Sequence, residues 1–248
     1  MDNGQPAIEL KHVSKSFGER KVLDDVSLQI EKGKAFCLLG RSGTGKSVTL
    51  KIMIGLIRPD RGRIVIQGNE IQSLDPAKLA DVRKQIGFLF QKAALFDSIS
   101  VAENVAFPLR RHTKKSEQEI QAIVHQKLKE VELENEGNKM PAELSGGMSK
   151  RAGLARALAF DPSILLIDEP TSGLDHITAG EIYELLLQLK KNRKVTMVVV
   201  THDVGGARKF SDEFAVLDKG KIAGLGTAEE LAQSQNSLVR DLAAGSQT

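Results

Sequence analysis

The sequence predicts an α/β fold built around a mostly parallel β-sheet. Three apolar segments, AFCLLG (35–40), SILLIDEP (163–170) and VTMVVVTHD (195–203), are typical of strands buried in a core. Helix-like segments such as 176–192 lie between strands, and this alternation favours parallel strands joined by right-handed crossovers. The 248 residues are 41% hydrophobic and 27% charged, which is typical of a globular protein with a sizeable core.

The first third of the chain adds strands of a second kind. Segments 7–17 and 26–30 alternate apolar and polar residues, as half-exposed antiparallel strands do. A glycine-rich loop after residue 40 leads into a predicted helix, SVTLKIMIGLI (47–57). Further strands are predicted at 61–68 and 85–90.

The later part of the chain changes character twice. Helical periodicity prevails from about 98 to 160, and the charges of its most amphipathic stretch, 114–133, indicate a solvated helix face. Segment 213–227 predicts a hairpin that turns at Lys219–Gly220. A short helix follows, and the polar tail 235–248 is either a docking segment or a frayed end.

Charge, cysteine content and hydropathy narrow the functional class. The net charge is +3 and the basic residues are scattered, which argues against a nucleic-acid partner. Cys37 is the only cysteine, so no disulfide can form within the chain, and a reducing compartment is favoured. No apolar stretch reaches the roughly 20 residues of a membrane span, and residues 1–13 lack the features of a signal peptide. We expect a cytoplasmic protein whose membrane connection would come through a partner.

The segment GRSGTGKS (40–47) fits the pattern G-x-x-x-x-G-K-[ST] and lies between a predicted buried strand and a predicted helix. Small residues allow backbone N–H groups to converge on phosphate oxygens, and the helix adds its positive N-terminal end. Lys46 supplies a charge for the β- and γ-phosphates, and Ser47 offers a hydroxyl to Mg²⁺. The predicted phosphate site consists of Gly40, Arg41, Ser42, Gly43, Thr44, Gly45, Lys46 and Ser47.

Acidic residues end the apolar strand within 163–170. Ligands bind at the carboxyl ends of strands in open α/β sheets, so Asp168 and Glu169 are expected at the same edge as the glycine-rich loop. Asp168 would hold Mg²⁺, directly or through water, and Glu169 would act on a water attacking the γ-phosphate. If the glycine-rich loop is disregarded, Asp168 and Glu169 could equally be two acidic residues that only cap the end of a strand.

Two further polar residues end predicted strands. His202 ends the third apolar strand on the side where the other two deliver ligands, and we expect it to hydrogen-bond the γ-phosphate rather than serve structure alone. Gln91 ends the strand at 85–90, where a solvated loop glutamine is the alternative.

Together these residues resemble the ATPases of ATP-binding cassette (ABC) transporters, over nearly the whole chain. The matching motifs are the Walker A loop at 40–47, the Q-loop glutamine Gln91, the signature LSGGM at 144–148, the Walker B residues Asp168 and Glu169, the D-loop SGLD at 172–175 and the switch histidine His202. The resemblance implies one P-loop nucleotide-binding domain over 1–248, with an N-terminal antiparallel β subdomain and a helical subdomain at about 98–160. It also places Phe17 where an aromatic residue stacks on adenine.

The same resemblance implies a head-to-tail homodimer that encloses two ATP molecules. Walker A of one chain would face the signature of the other, so that Ser145, Gly146 and Gly147 contact the γ-phosphate across the interface. One chain could bind ATP with Mg²⁺ but could not complete a catalytic site. The residues implied to act in catalysis are Lys46, Gln91, Glu169 and His202.

A narrower resemblance lies in segment 92–113 and in Met148. Both are similar to the ATPases of bacterial lipid-trafficking ABC systems of the maintenance-of-lipid-asymmetry type, which are associated with MCE proteins. Leu95, Phe96 and Phe107 could seat a helix of a membrane subunit, although Phe107 could instead fill the core of the helical subdomain. The partners implied are an integral membrane permease, an MCE-domain protein and a small STAS-like accessory subunit.

The expected function is that of an ATP-hydrolysing motor which moves phospholipid between bacterial membranes and maintains outer-membrane lipid asymmetry. It would lie peripherally on the cytoplasmic face of the inner membrane. Two alternatives remain: the ATPase of an importer for another solute, such as a polar amino acid, and a soluble ABC ATPase of translation or DNA repair. The second usually has two cassettes or a long coiled-coil insertion, and this chain has neither.

Overall fold

A computed structural model describes residues 5–244. The strands in this range are β1 (Ile8–Phe17), β2 (Arg20–Ile30), β3 (Ala35–Leu39), β4 (Arg61–Ile66), β5 (Asn69–Glu70), β6 (Ile86–Leu89), β7 (Ile164–Asp168), β8 (Thr196–Val200), β9 (Glu213–Asp218) and β10 (Lys221–Gly226). The α-helices are α1 (Lys46–Met53), α2 (Pro76–Lys84), α3 (Val101–His112), α4 (Glu117–Glu130), α5 (Gly146–Ala157), α6 (His176–Arg193), α7 (Val204–Ala207), α8 (Ala228–Ala232) and α9 (Ser237–Ala244).

The strands form two sheets that differ in direction. The first is antiparallel, with the order β2-β1-β4-β5. The second has the order β10-β9-β3-β8-β7-β6, and every neighbouring pair is parallel except β9 with β10. The predicted α/β fold with a mostly parallel core sheet and an N-terminal antiparallel sheet is therefore confirmed.

The parallel sheet separates two hydrophobic cores. Successive residues of β3 point to opposite faces, so Cys37 packs with the helices on one side while Phe36 and Leu38 pack with the antiparallel sheet and α1 on the other. Every residue of β3, β7 and β8 is buried, as their unbroken apolar sequences predict. The sheet is thus covered on both faces, and its carboxyl ends stay free to bind ligands.

Helices α3, α4 and α5 come between β6 and β7 in the chain and pack on one another. The residues that they bury include Val101, Val105, Leu109, Ile120, Val124, Leu128, Ala152, Leu154 and Ala155. The stretch predicted as helical at 114–133 is helical only from 117 to 130. A capping box at Ser116 explains its start, because Ser116 Oγ accepts from the Glu119 N–H and the Glu119 carboxylate accepts from the Ser116 N–H.

Two other boundaries differ from prediction, and one helix was not predicted. The strand expected at 26–30 begins at Arg20, because β2 pairs with β1 from that residue onward. The helix expected at 47–57 ends at Met53. Helix α2 had not been predicted, although Asp75 followed by a proline is a helix-start signal, and the Asp75 side chain accepts a 2.9 Å hydrogen bond from the Lys78 N–H.

The C-terminal part folds back on the core sheet. The hairpin of β9 and β10 turns at Lys219–Gly220 as expected, and both residues have positive φ angles. Helix α9 buries Val239 and Ala243, so the described part of the tail is docked on its own chain rather than frayed. The rest of the tail, 245–248, lies outside the described residues.

Between residues 5 and 244 no helix has both the length and the hydrophobicity needed to cross a membrane.

Candidate functional site

A cleft of about 910 Å³ opens at the carboxyl ends of β3, β7 and β8. It is lined by Phe17, Arg20, Val22, Gly40, Arg41, Ser42, Gly43, Gly45, Lys46, Ser47, Val48, Gln91, Glu169, His202, Val204 and Leu242. The cleft therefore brings together the predicted glycine-rich loop, Phe17, Gln91, Glu169 and His202. Asp168 reaches the same place through Ser47, as described below.

The loop between β3 and α1 is held in a tight curve. Gly45 has a φ of 108°, and a Cβ there would lie 3.0 Å from both Val22 Cγ1 and the Val22 main-chain oxygen. Thr49 Oγ1 donates to the Gly45 carbonyl oxygen at 3.0 Å, and Thr44 Oγ1 donates to the Arg41 carbonyl oxygen at 2.9 Å. Only glycine fits at position 45, and the curve aims the start of α1 at the cleft.

Lys46 lies at the floor of this loop with 6% of its surface exposed. Its Nζ donates to the carbonyl oxygens of Gly40 at 2.8 Å and Arg41 at 3.1 Å, and it lies 3.9 Å from Glu169 Oε1. Burial lowers the pKa of the ammonium, while the Glu169 and Asp168 carboxylates oppose that shift. The amine is thus held at the loop by main-chain oxygens and can turn to a phosphate without moving its backbone.

Ser47 and Asp168 meet although 121 residues separate them. Ser47 Oγ donates a 2.8 Å hydrogen bond to Asp168 Oδ1, and Asp168 is 4% exposed. A hydroxyl and a carboxylate are hard oxygen ligands of the kind that Mg²⁺ prefers. The pair therefore fits a magnesium ion held jointly by protein and phosphate oxygens.

Glu169 follows β7 in a strained conformation, with a φ of 47°. Its N–H donates to the Val200 carbonyl oxygen at 2.8 Å, which fixes the residue against β8. Its Oε2 lies 2.8 Å from Nδ1 of His202, whose side chain is 57% exposed. A buried carboxylate is thus paired with a histidine whose ring borders the cleft, an arrangement that can polarise a water molecule.

Gln91 and Glu169 share a partner that the sequence did not predict, Lys150 of α5. Its Nζ donates to the Gln91 carbonyl oxygen and, at 2.9 Å, to the Glu169 carbonyl oxygen. Lys150 is 5% exposed, and this burial lowers the pKa of its ammonium. The Gln91 side chain donates to Ser172 Oγ at 3.3 Å. The sequence gives only one hint of this role, a lysine five residues after the serine of LSGGM. The role itself depends on contacts between segments that are far apart in the chain.

The outer wall of the cleft contains Phe17 and two residues absent from the predicted site. Phe17 is 49% exposed, and Lys15 Nζ lies 5.4 Å from the centre of its ring. Arg20 donates through Nη2 to the Gly43 carbonyl oxygen at 3.1 Å. Leu242 of α9 completes the wall. Arg20 and Leu242 had no motif to mark them, since only the fold brings them to the loop.

The segment 144–148 does not line the cleft of its own chain. Ser145 caps α5, because its Oγ accepts from the Met148 N–H at 3.2 Å. Met148 is half-buried against the helical core, which explains an apolar side chain there. Gly147 is buried, and a Cβ on it would lie 2.5 Å from Thr178 Cγ2. Close packing of α5 on α6 is therefore a second reason for that glycine, beside the proposed approach of a phosphate.

Comparison with known proteins agrees with this geometry. The family model described as ABC transporter matches residues 23–172. The chain belongs to the ABC transporter family. It is 46% identical to the probable ribonucleotide transport ATP-binding protein mkl of Mycobacterium leprae, over 96% of this chain and 69% of that protein. It is also 42% identical to the intermembrane phospholipid transport system ATP-binding protein MlaF of Haemophilus influenzae, over 94% of this chain and 88% of that protein.

A solved structure supports the same assignment. The dimeric structure of a post-hydrolysis state of the ATP-binding cassette MJ0796 bound to ADP and Pi has a TM-score of 0.82 and 36% sequence identity. The match covers 89% of this chain and 98% of that one. This ABC protein is accordingly an ATP-binding subunit and an ATPase.

Proposed function

We propose that this ABC protein is the ATP-hydrolysing motor subunit of a transporter that moves phospholipid between bacterial membranes. The observation that carries the ATPase part is the convergence of Lys46, the Ser47–Asp168 pair and the Glu169–His202 pair on one cleft. The lipid part is supported by the relative named as an intermembrane phospholipid transport ATP-binding protein. We further propose that 1–248 is one nucleotide-binding domain, with about 98–160 as its helical subdomain.

The chemistry follows from charge and position. Lys46 and the N–H groups of the loop 40–47 hold the phosphates of ATP, and Phe17 stacks on the adenine. Ser47 and Asp168 would hold Mg²⁺, which would supply positive charge to neutralise the phosphate oxygens. Glu169 accepts a hydrogen bond from the attacking water and orients it in line with the γ-phosphate. The Nδ1 atom of His202 lies 2.8 Å from that carboxylate and positions it, and the His202 side chain lines the cleft.

A second copy of the chain completes the site. Ser145 lies at the N-terminus of α5, a helix of 12 residues, and neither it nor Gly146 lines the cleft of its own chain. In a head-to-tail dimer this helix end would meet the γ-phosphate bound by the partner, where its N–H groups and positive end favour an anion. The dimeric state of the similar cassette MJ0796 supports this arrangement.

The membrane subunit would dock in a second groove, of about 580 Å³, between α2, β6 and the helices α3 and α5. Five phenylalanines line it: Phe88, Phe90, Phe96, Phe107 and Phe160. Phe96 and Phe107 are 46% and 47% exposed, with ring centres 4.8 Å apart, so Phe107 lies at the surface and does not fill the core. Leu95, by contrast, packs against the core. An apolar helix of a permease fits such a groove.

The test is co-purification from detergent-solubilised membranes, with identification of bound proteins and lipids. We expect an integral membrane permease, an MCE-domain protein, a small STAS-like subunit and phospholipid, which would place the chain on the cytoplasmic face of the inner membrane. A variant with Phe96→Ser and Phe107→Ser should lose the permease and keep its own ATPase activity. Leu225→Ser, equally exposed on β10, is the matched control and should keep both.

A second candidate cargo is favoured by one comparison. The relative from Mycobacterium leprae is named for ribonucleotide transport and is 46% identical. Recovery of ribonucleotide, rather than phospholipid, with the purified complex would favour this candidate. An ABC importer for a solute such as an amino acid would instead be accompanied by a solute-binding protein.

A further inference from the structure

Tyr183 of α6 is the only tyrosine in a chain that has no tryptophan. It is 2% exposed and lies beneath the catalytic cleft rather than in it. Its hydroxyl oxygen is 2.9 Å from Thr171 Oγ1. Thr171 follows Glu169 by two residues, so this contact anchors the segment that carries the proposed catalytic carboxylate.

Tyr183 also lies against the helix that follows His202. Asp203, the residue after that histidine, is the N-cap of α7, and its Oδ1 accepts from the Gly206 N–H at 3.0 Å. Gly206 packs directly on the Tyr183 ring. Tyr183 therefore contacts both the segment that follows Glu169 and the segment that follows His202.

The ring of Tyr183 is closely packed against its neighbours. A Cβ on Gly206 would lie 1.8 Å from Tyr183 Cε2, so the ring fits under α7 only because residue 206 is glycine. The ring also stacks on Phe210, with centres 5.9 Å apart and planes inclined by 23°. The Tyr183 ring therefore occupies the space that any side chain at residue 206 would need.

We propose that Tyr183 is a positioning residue that holds Glu169 and His202 in register for hydrolysis. The two residues meet at the cleft through a single hydrogen bond, and the His202 side chain is 57% exposed there. Below them the Tyr183 hydroxyl is bonded to Thr171, two residues after Glu169, and its ring packs on Gly206, whose N–H donates to Asp203, the residue after His202. The inference rests on the proposed roles of Glu169 and His202, and it adds a residue that does not line the cleft.

The experiment measures kcat, KM for ATP and the melting temperature of Tyr183→Phe in the full chain. Phenylalanine keeps the ring and its packing and removes only the hydroxyl. A hydrogen bond worth about 0.5–1.5 kcal/mol predicts a fall in kcat of roughly 2- to 12-fold. We expect KM for ATP to stay within about twofold, because the cradle of loop 40–47 is untouched.

Further variants separate positioning from stability. Thr171→Val should lower kcat as Tyr183→Phe does, and the double variant should be no slower than the slower single variant, because both remove one interaction. Thr171→Ser keeps the hydroxyl and should restore turnover. Thr196→Val is the matched control: it removes a buried hydroxyl that accepts from the Gly33 N–H at the opposite end of β8, so it should lower the melting temperature and leave kcat unchanged.

The outcomes are distinct. Unchanged kcat in both Tyr183→Phe and Thr171→Val would overturn the inference, whatever happens to the melting temperature. A rise in KM for ATP with constant kcat would also overturn it, because Tyr183 would then act on nucleotide binding. Failure of the wild-type chain to hydrolyse ATP, or full activity in Glu169→Gln, would instead contradict the proposed function.

Discussion

Lys150 Nζ lies 2.9 Å from the main-chain oxygen of Glu169, which bonds the helix after the signature directly to the backbone of the proposed catalytic residue. The same ammonium donates to the Gln91 carbonyl oxygen. Ser145, which caps α5, is the residue that we place against the partner's nucleotide. A shift of this helix would therefore move the backbone of Glu169 in the site of its own chain. One buried charge thus joins the signature, the Q-loop and the Walker B strand.

Lys150→Met should slow hydrolysis strongly. The thioether fills similar space but leaves the Gln91 carbonyl oxygen without a donor and the Glu169 carbonyl oxygen with only the Ser172 N–H at 3.3 Å, and it releases the strained backbone at Glu169. Hydrogen bonds from a charged group are worth about 1.5–3 kcal/mol, so we expect kcat to fall roughly 10- to 100-fold in a steady-state ATPase assay. Lys129→Met, on the exposed face of α4, is the control and should be active. A lower melting temperature with normal turnover would show that Lys150 serves stability alone.

Glu169→Gln should bind ATP and fail to hydrolyse it. The amide keeps the shape of the side chain but cannot act as a base, and loss of a general base costs roughly 10²- to 10⁴-fold in rate. ATP should then accumulate in a closed dimer, which size-exclusion chromatography with and without ATP would detect. Near wild-type turnover in this variant would exclude the role given to Glu169.

Met148→Gln should change hydrolysis little, whereas Ser145→Arg should abolish it. Met148 packs against the helical core and only its N–H meets the Ser145 hydroxyl, so a glutamine costs some apolar packing and spares the helix cap. An arginine at 145 removes that cap and fills the space that we assign to the partner's γ-phosphate. ATPase rates and melting temperatures of the two variants test this. Loss of activity in Met148→Gln would reveal a mechanical role for the thioether.

Alkaline titration should reveal the buried phenol. Burial is the largest cause that raises the pKa of Tyr183 above its ordinary 10.0, although the hydrogen bond with Thr171 opposes it. The unfolded chain therefore ionises first, so the stability contributed by the neutral phenol is complete below pH 10 and falls as the pH rises through the folded pKa. Phenolate absorbance measures this residue alone. Tyr183→Phe should lose less stability between neutral and alkaline pH, and a native phenol that titrates at its ordinary pKa would contradict the assignment.

The sheet and the motif positions could be predicted because their signals are local. Unbroken apolar runs mark β3, β7 and β8, and parallel strands bring their carboxyl ends to one edge, so Lys46, Asp168, Glu169 and His202 were expected together. Ser47 and Asp168 meet for the same reason. The chemistry of each residue is fixed by its type and its place after a strand.

The supporting residues could not be predicted, because they depend on contacts between segments far apart in sequence. Nothing in the sequence distinguishes Lys150 from other helical lysines, because its role arises only from the packing of α5 over Gln91 and Glu169. Nothing in the sequence distinguishes Tyr183 within its helix either. The need for glycine at 206 is evident only from the contact of that residue with the Tyr183 ring. Arg20 reaches the loop only through the fold of β2. Helix propensity and periodicity carry no information of this kind.

The glycine at 147 has a consequence for how related sequences are interpreted. Because any side chain there would collide with Thr178, the residue is required wherever α5 and α6 approach this closely, with or without a phosphate nearby. A descendant that had lost ATP turnover would still retain it. Gly147 in a related sequence is therefore a record of inherited helix packing, and activity must be judged from Glu169 and His202 instead.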